Sequence, residues 1–408
     1  MTGVWQELIL DDAAYVGAGN PAPQNKALFE EGKHPFFRTA DVGKVRFGEL
    51  STSVDLLNDV GVASLRLVPK GTILMPKSGA STFLNHRAIT QVDGYVSSHL
   101  ATITAKKGIA EPRYLLYALG RVNAQDLLPE NAYPSLNLAT IRNIPISLPP
   151  LEEQRRIVAI LDDAFERLDC AHTHTEKNLR DAQELFAEWG ANALQSISDR
   201  RPVPTVSVKD IALPQKGSIR TGPFGSQLLH GEFVNEGIAV LGIDNAVGNE
   251  FRWGKRRFIT PEKYHKLSRF TVQPGDVIIT IMGTCGRCAV IPEDIPTAIN
   301  TKHLCCISLD RKKCLPEYLH RYFLLSRRAR SYLSAEASGS VMDGLNMGII
   351  KEMPVELPCI DEQRELVSRI VDIESRAKHV AANYRAQKNR LNELRQSILR
   401  RAFAGKLT

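Results

Sequence analysis

Leu136-Asn-Leu-Ala-Thr-Ile-Arg-Asn-Ile-Pro-Ile-Ser-Leu-Pro-Pro-Leu-Glu-Glu-Gln-Arg-Arg-Ile-Val158 and Leu345-Asn-Met-Gly-Ile-Ile-Lys-Glu-Met-Pro-Val-Glu-Leu-Pro-Cys-Ile-Asp-Glu-Gln-Arg-Glu-Leu-Val367 are one pattern written twice. The separation is 345 − 136 = 209, and no gap is needed. Upstream, Gly71-Thr-Ile-Leu pairs with Gly275-Asp-Val-Ile, His99-Leu100 with His303-Leu304, and Pro112-Arg-Tyr-Leu115 with Pro316-Glu-Tyr-Leu319, all at separation 204. A length difference of 209 − 204 = 5 between Leu115 and Leu136 reconciles the two values. Three separated matches at one spacing are not a chance event, so the chain is an internal repeat and is read one half at a time.

Each half divides again. Residues 1–150 and 201–358 carry short β-rich runs punctuated by Pro-Gly, Val-Gly and Ser-Gly dipeptides. Val277–Ile281 and Val62–Val68 are expected as strands, Tyr114–Leu119 and Pro316–Tyr332 as helices. The fold class is therefore α+β, with two α/β globular domains in tandem repeat. Residues 151–200 and 359–408 differ in character. After Leu148-Pro149-Pro150 and Leu357-Pro358 the chain loses almost all Pro and Gly.

In the first of these segments Ile157, Ala164, Ala171, Asn178 and Leu185 recur at sevens, as do Leu161, Leu168, Thr175, Ala182 and Trp189. In the second, Leu366, Ile373, Val380, Gln387 and Leu394 recur beside Ile370, Ala377, Tyr384, Leu391 and Ile398. Two interleaved heptad series are the pattern of a coiled-coil seam. The expected pairing residues are Ile157, Leu161, Leu168, Leu185 and Trp189, meeting Leu366, Ile370, Ile373, Leu391 and Leu394. At 1.5 Å per residue, about 45 residues give a helix of roughly 65–70 Å. Connectivity makes a paired second helix run back antiparallel, so a dumbbell with pseudo-two-fold symmetry is expected.

The composition is that of an ordinary globular chain: 408 residues, 43% hydrophobic, 24% charged, net charge +7 and pI near 9.0. Disorder, collagen and pure coiled coil are excluded as the whole answer. Apolar runs such as Val277–Met282 fall far short of the ~20 residues that span a bilayer. Met1-Thr-Gly-Val-Trp-Gln-Glu has neither a basic nor an apolar leader region, and the seven cysteines form no even framework. A cytoplasmic protein with reduced thiols and no membrane association is expected. Charge is uneven: Lys+Arg against Asp+Glu is 14 to 13 over 1–150, 6 to 11 over 151–200, 21 to 15 over 201–358 and 11 to 6 over 359–408. Clusters at Arg252/Lys255/Arg256/Arg257, Arg311/Lys312/Lys313 and Arg327/Arg328/Arg330 suit phosphate contacts. The opposite charges of the two helical segments suit mutual pairing, and equally the docking of other subunits.

Ile144-Pro-Ile-Ser-Leu-Pro-Pro-Leu-Glu-Glu-Gln-Arg-Arg-Ile-Val158 strongly resembles the end of a target-recognition domain entering a helix in type I restriction-modification specificity subunits. Leu394-Arg-Gln-Ser-Ile-Leu-Arg-Arg-Ala-Phe-Ala-Gly-Lys-Leu407 resembles that family's closing segment. Phe36-Phe-Arg-Thr-Ala-Asp41, Gly222-Pro-Phe-Gly-Ser-Gln227 and Gly283-Thr-Cys-Gly-Arg-Cys-Ala-Val-Ile-Pro292 resemble recognition-domain segments. The resemblance covers both halves in the family's order. It implies a DNA-specificity subunit of a split, asymmetric double-stranded site, with target-recognition domain 1 at 1–150 and domain 2 at 201–358. The helices at 151–200 and 359–408 would set the spacer. Two modification (methyltransferase) subunits carrying S-adenosylmethionine would dock along them. A restriction subunit, a translocase and nuclease using ATP and Mg, would join. Half-sites one helical turn apart lie about 34 Å centre to centre, within reach of such a rod.

Motifs for chemistry in this chain are missing. Asn20-Pro21-Ala22-Pro23 lacks the paired prolines, and Leu148-Pro-Pro-Leu151 lacks the amide and aromatic, of a grip on a flipped adenine. Gly405-Lys-Leu-Thr408 lacks the upstream glycine of a phosphate loop. No catalytic, cofactor or metal residue is therefore assigned, and chemistry is expected in partner chains. An enzyme or a DNA-independent scaffold are the competing readings. Cys285-x2-Cys288 with His303, Cys305 and Cys306 could hold zinc, or be plain thiols. Adjacent cysteines on a strand would face opposite sides. His99 and His303 occupy corresponding positions and read either as a shared structural bond or as a contact to an ion or base.

Base edges need donors and acceptors on exposed loops. In the first domain the candidates are Lys77, Ser78, Ser81, Thr82, Asn85, His86 and Arg87. In the second they are Arg220, Thr221, Phe224, Ser226, Gln227, Thr284, Arg287, Asn300 and Lys302. Trp253, between Arg252 and Lys255, would stack on a sugar or simply pack.

Overall fold

A computed structural model describes residues 5–128, 134–338 and 344–407. The chain separates into two units, residues 1–175 with 387–408 and residues 176–386. Each holds one globular domain and part of each long helix.

In the first unit, a five-stranded sheet runs in the order Ala14–Ala18, Leu100–Ala105, Ile73–Pro76, Arg87–Thr90, Phe47–Leu50. Its pairs are antiparallel except the last, which is parallel. A three-stranded sheet places His34–Phe37 between Asp55–Leu57 and Tyr95–Val96. Gln6–Ile9 pairs antiparallel with Pro145–Leu148, closing the domain just before the first long helix. The helix Pro112–Leu119 buries most of its length, from Tyr114 to Leu119. Its proline starts it without losing a hydrogen bond.

The second unit repeats the plan. Its four-stranded antiparallel sheet is ordered Ile219–Thr221, Leu304–Ile307, Val277–Thr280, Cys288–Val290. Its three-stranded sheet places Ile238–Leu241 between antiparallel Phe258–Ile259 and parallel Ala298–Asn300. Thr205–Ser207 pairs with Pro354–Glu356. The quoted repeat explains part of this likeness. Asn137 and Asn346 each cap the short helix that follows, accepting the amides of Thr140 at 2.7 Å and Ile349 at 3.0 Å.

The long helices are Leu151–Arg200 and Ile360–Ala402, 50 and 43 residues. In the first unit Ile157, Val158, Leu161 and Phe165 share one core with Leu399, Ala402 and Phe403. The Arg395 guanidinium lies 4.2 Å from the Phe165 ring centre and pairs with Asp169 at 2.6 Å. In the second unit Leu194, Leu366 and Ile370 share a core, with Trp189, Ile197 and Val367 against it, and Arg201 pairs with Glu362. In each unit, rising numbers on one helix meet falling numbers on the other, which is antiparallel packing.

One gap-free motif fixes the start of both helices. Gln154 is fully buried. Its Nε2 donates to the carbonyls of Ile109 at 3.0 Å and Pro149 at 2.8 Å, and its Oε1 accepts the Glu111 amide at 2.8 Å. Gln363 does the same with Lys313 at 2.9 Å, Pro358 at 2.8 Å and the Leu315 amide at 2.9 Å. A buried amide with its donors and acceptor all used ties helix, loop and domain at one point.

Three expectations need correction. Val62–Val68 is not a strand: a short helix, Asp59–Val62, runs into a turn, and only Val68 bridges, to Gly94. Pro316–Tyr332 is two helices, Pro316–Leu325 and Arg327–Ser338, broken at Ser326. The two heptad series part company. Leu161, Leu168, Thr175, Ala182 and Trp189 stay wholly or partly buried, as do Ile370, Ala377, Tyr384, Leu391 and Ile398. The series that starts at Ile157 and Leu366 turns outward, until Leu185 is 70% and Leu394 48% exposed. Both series have the same seven-residue spacing, so the face each helix turns inward, and not the period, separates them. Leu185 and Leu394 are therefore not pairing residues within their units, and Ile373 is half-buried.

Among the described residues, no helix is long and apolar enough to cross a membrane.

Candidate nucleic-acid interface

In the second unit, four chain segments converge at one end of the two sheets. They follow the strands ending at Thr221, Leu241, Thr280 and Asn300. Their backbones are laced together: Gly222 N donates to Thr301 O at 3.3 Å, Thr301 N to Leu241 O at 2.9 Å and Ile281 N to His303 O at 2.9 Å. Gly222 makes this possible, since a Cβ there would sit 2.0 Å from the Asn300 carbonyl oxygen. The loops so held carry Phe224, Ser226 and Gln227, then Thr284 and Arg287, then Lys302, all exposed. Thr221 is half-buried at the edge of the group.

A basic loop adjoins them. Asp244 accepts the Lys255 amide at 2.8 Å and pairs with the Arg257 guanidinium. Trp253 is 41% exposed. It packs edge-on against Phe251, with the Arg256 guanidinium 5.5 Å from its ring centre. Burial, and then the positive charges of Lys302 and Arg257, hold the His303 imidazole below its ordinary pKa. Those charges so close to His303 mark this end of the domain as electropositive.

In the first unit two of these three bonds recur, and the third runs between other residues. Ser97 N donates to Phe37 O at 2.9 Å, Ser98 N to Asn20 O at 2.7 Å and Lys77 N to His99 O at 3.0 Å. Here Gly19 is the residue of close approach, a Cβ there falling 2.3 Å from Ser97 O. Lys77, Ser78 and Ser81 are half-exposed on the connection after Ile73–Pro76. Ser78 Oγ lies 2.7 Å from His99 Nδ1.

The expected contact residues divide on burial. Arg87 is 1% exposed. It donates to the carbonyls of His86 at 2.8 Å and Val122 at 3.3 Å, and burial pushes its pKa down to about 10. Arg220 is spent on Asp276 at 2.7 Å, Thr271 O at 2.6 Å and Ser308 Oγ at 3.0 Å. Asn300 is fully buried and donates to Leu304 O at 3.0 Å. Thr82 is buried as well. These four are scaffold, because freeing them would strip buried polar groups of their partners. Asn85 is half-buried in the left-handed region at φ 55° and binds Asn123 at 2.8 Å and the Ala124 amide at 2.7 Å. That leaves it a turn-forming role. His86 is half-buried beside Arg46 and Arg87; burial first, then those charges, lower its pKa.

Asp244, which shapes the basic loop, was not singled out in the sequence. A faint signal existed in the repeat, because the cap at Asn245 corresponds to Asp41: 245 − 41 = 204. Asp41 accepts the Arg38 amide at 2.8 Å and Asn245 the Gly242 amide at 2.9 Å.

The cysteines do not gather. Cys288 and Cys305 lie in one core and Cys306 in another, as alternation on a strand dictates. Burial pushes all three thiols well up. Among the described residues no group of three or more metal-ligating side chains is found.

Comparison with known proteins gives a consistent result. The family model described as the type I restriction modification DNA specificity domain matches residues 3–179 and 236–381. The EcoBI specificity subunit of Escherichia coli is 26% identical over 288 residues, covering 67% of this chain and 60% of that protein. The MjaVIII specificity subunit of Methanocaldococcus jannaschii is 22% identical over 329 residues, covering 77% and 74%. The alignment with the E. coli protein thus spans less than two thirds of its length. Two solved chains are alike in fold. One, from work on complex assembly and conformational transition of the type I R-M system, has a TM-score of 0.76 at 18% identity, covering 99% of this chain and 98% of that one. The HsdS subunit of Thermoanaerobacter tengcongensis has a TM-score of 0.53 at 19% identity, covering 99% and 97%.

Proposed function

This chain belongs to the type I restriction-modification DNA specificity family, and on that premise we propose that it is the DNA-reading subunit of a type I complex. Each globular domain reads one half of a bipartite, asymmetric double-stranded site. The observation that carries this is the duplicated loop cluster. Both units bring polar and basic loops together at one sheet end, through two equivalent backbone hydrogen bonds, Thr301 N to Leu241 O with Ile281 N to His303 O in one and Ser97 N to Phe37 O with Lys77 N to His99 O in the other, while the side chains on those loops differ. In the second unit Thr284, Arg287 and Lys302, with Phe224, Ser226, Gln227 and Thr221 beside them, face the DNA. In the first unit Lys77, Ser78 and Ser81 do so, with His86 at the margin. Such short polar side chains and cations offer the donors and acceptors that base edges and phosphates need.

The chain itself is non-catalytic. Adenine methylation, using S-adenosylmethionine, belongs to two modification subunits docked on the long helices. ATP- and Mg-dependent translocation and cleavage belong to restriction subunits, and the complex works in the cytoplasm. Exposed apolar side chains far along the helices, Leu185 and Leu394, suit docked partners. The test is to purify the chain with its modification subunit and to measure methyl transfer to DNA by each alone and by both. Transfer only by the pair, at one motif set by this chain, is expected. Transfer by this chain alone would overturn the non-catalytic role.

A further inference from the structure

His99 and His303 stand at the same repeat position, 303 − 99 = 204. Each lies in the short loop leading into a central strand, Leu100–Ala105 or Leu304–Ile307. Each offers its carbonyl to the residue after the neighbouring strand, Lys77 at 3.0 Å or Ile281 at 2.9 Å. Around them the corresponding residues change. Lys77 is matched by Ile281, Ser78 by Met282, Ser98 by Lys302 and Arg38 by Gly242, all at separation 204. At their centre the histidine is kept, along with Gly79 and Gly283, whose positive φ serves the backbone turn, and the buried strand residues Leu100 and Leu304.

Two domains that read different base sequences share only one thing on their DNA, the sugar-phosphate backbone. A side chain kept while its reading neighbours change must serve what the half-sites have in common. Resting on the function proposed above, we propose that His99 and His303 are the equivalent backbone anchors of the two recognition domains, each donating a hydrogen bond to one phosphate. The first is pre-oriented: Nδ1 is held by Ser78 Oγ at 2.7 Å, and the residue is exposed, with no hydrogen bond to Nε2 among the described residues. No hydrogen bond among the described residues engages the His303 ring, which stands beside Lys302 and Arg257. A neutral imidazole donor to a phosphate is a charge-assisted bond.

The experiment uses the full chain with its modification subunit and two duplexes, one carrying the motif methylated in the cell and one of random sequence. His99→Ala and His303→Ala are each expected to weaken binding to both duplexes by the same factor, about tenfold. The preference between the duplexes should stay as it was. Phosphate ethylation should block the wild type at several phosphates, one of them in each half-site owing its effect to the histidine. His99→Ala should abolish the block at that one phosphate in one half only, and His303→Ala in the other, leaving the rest of the pattern in place. His99→Gln and His303→Gln keep an N–H donor and should recover part of the affinity. Unchanged affinity in variants that fold with wild-type melting would overturn the proposal. So would relaxed recognition of a single base pair, which would make the histidine a base reader. Failure of the wild-type complex to bind either duplex would instead overturn the underlying function.

Discussion

The two units solve one packing problem in two chemistries. In the first, Tyr117 and Phe165 meet edge to face, ring centres 5.4 Å apart, where the domain's helix lies on the long helix. In the second, the corresponding positions hold Arg321 and Glu374, ion-paired at 2.7 Å and only 15% and 16% exposed; 321 − 117 = 204 and 374 − 165 = 209. Likewise Phe403 packs on Tyr114 at 5.1 Å in the first unit, where Leu194 takes the matching place in the second unit's core. Beside these exchanged pairs, Gln154 and Gln363 are unchanged to the last hydrogen bond. Side-chain packing can be traded for anything of suitable volume or charge. A buried amide with three backbone partners cannot, since every alternative leaves polar groups unpaired.

This difference can be attacked directly. The largest effect is expected from Gln154→Ala and Gln363→Ala. Each strands two carbonyls and one amide, at about 3 kcal/mol or more in its own unit. Unit-resolved hydrogen exchange should register equal losses of protection in the two; a loss confined to one unit would break the equivalence. Next come the exchanged pairs. Glu374→Phe alone leaves a half-buried guanidinium and should cost about 2–3 kcal/mol. Combined with Arg321→Tyr, the loss should shrink below about 1 kcal/mol, read as coupling in a double-mutant cycle of chemical unfolding. No coupling would mean that the two positions are not one packing site. Arg287→Ala should then weaken binding to the specific duplex roughly tenfold, about 1.4 kcal/mol, and binding to random DNA less. Equal loss on both would make Arg287 a phosphate contact. Smallest of all, Leu185→Ser and Leu394→Ser should change melting of the unpartnered chain by under about 0.5 kcal/mol, where Leu161→Ala costs about 2–5. A large loss at Leu185 would restore the outward heptad series to a seam.

The repeat made the fold legible. The gap-free stretch marked where each domain ends, and the loss of Pro and Gly marked where each long helix begins. Heptad counting went further than physics allows. The seven-residue spacing is common to both series, so it could not tell which of the two faces stays buried along the whole helix. Val62–Val68 looked like a strand because its valines and leucines are apolar, but the helix capped by the Asn58 side chain, which accepts the Gly61 amide at 2.9 Å, claimed its start. In the site, the loops were legible from Gly, Ser and Thr, but the direction of each side chain was not. Arg220 and Asp276 meet 56 residues apart in sequence, so nothing local could reveal that the arginine is buried. Arg87 belongs to a strand whose four residues, Arg87–Thr90, are all buried, and a cation in such a run is a sign of internal use. Gln154 and Gln363 stood in the quoted pattern throughout, with their role hidden until partners from Ile109 and Lys313 came into view.

The most direct test is to map methylated adenines across the genome of the source cell by single-molecule sequencing, with the gene intact, deleted, and carrying Arg287→Ala. A DNA-specificity subunit with one reading loop cluster per domain predicts a single bipartite motif that vanishes on deletion, and a variant that relaxes one half of it alone. A motif that survives deletion, or a variant that alters both halves together, would contradict it.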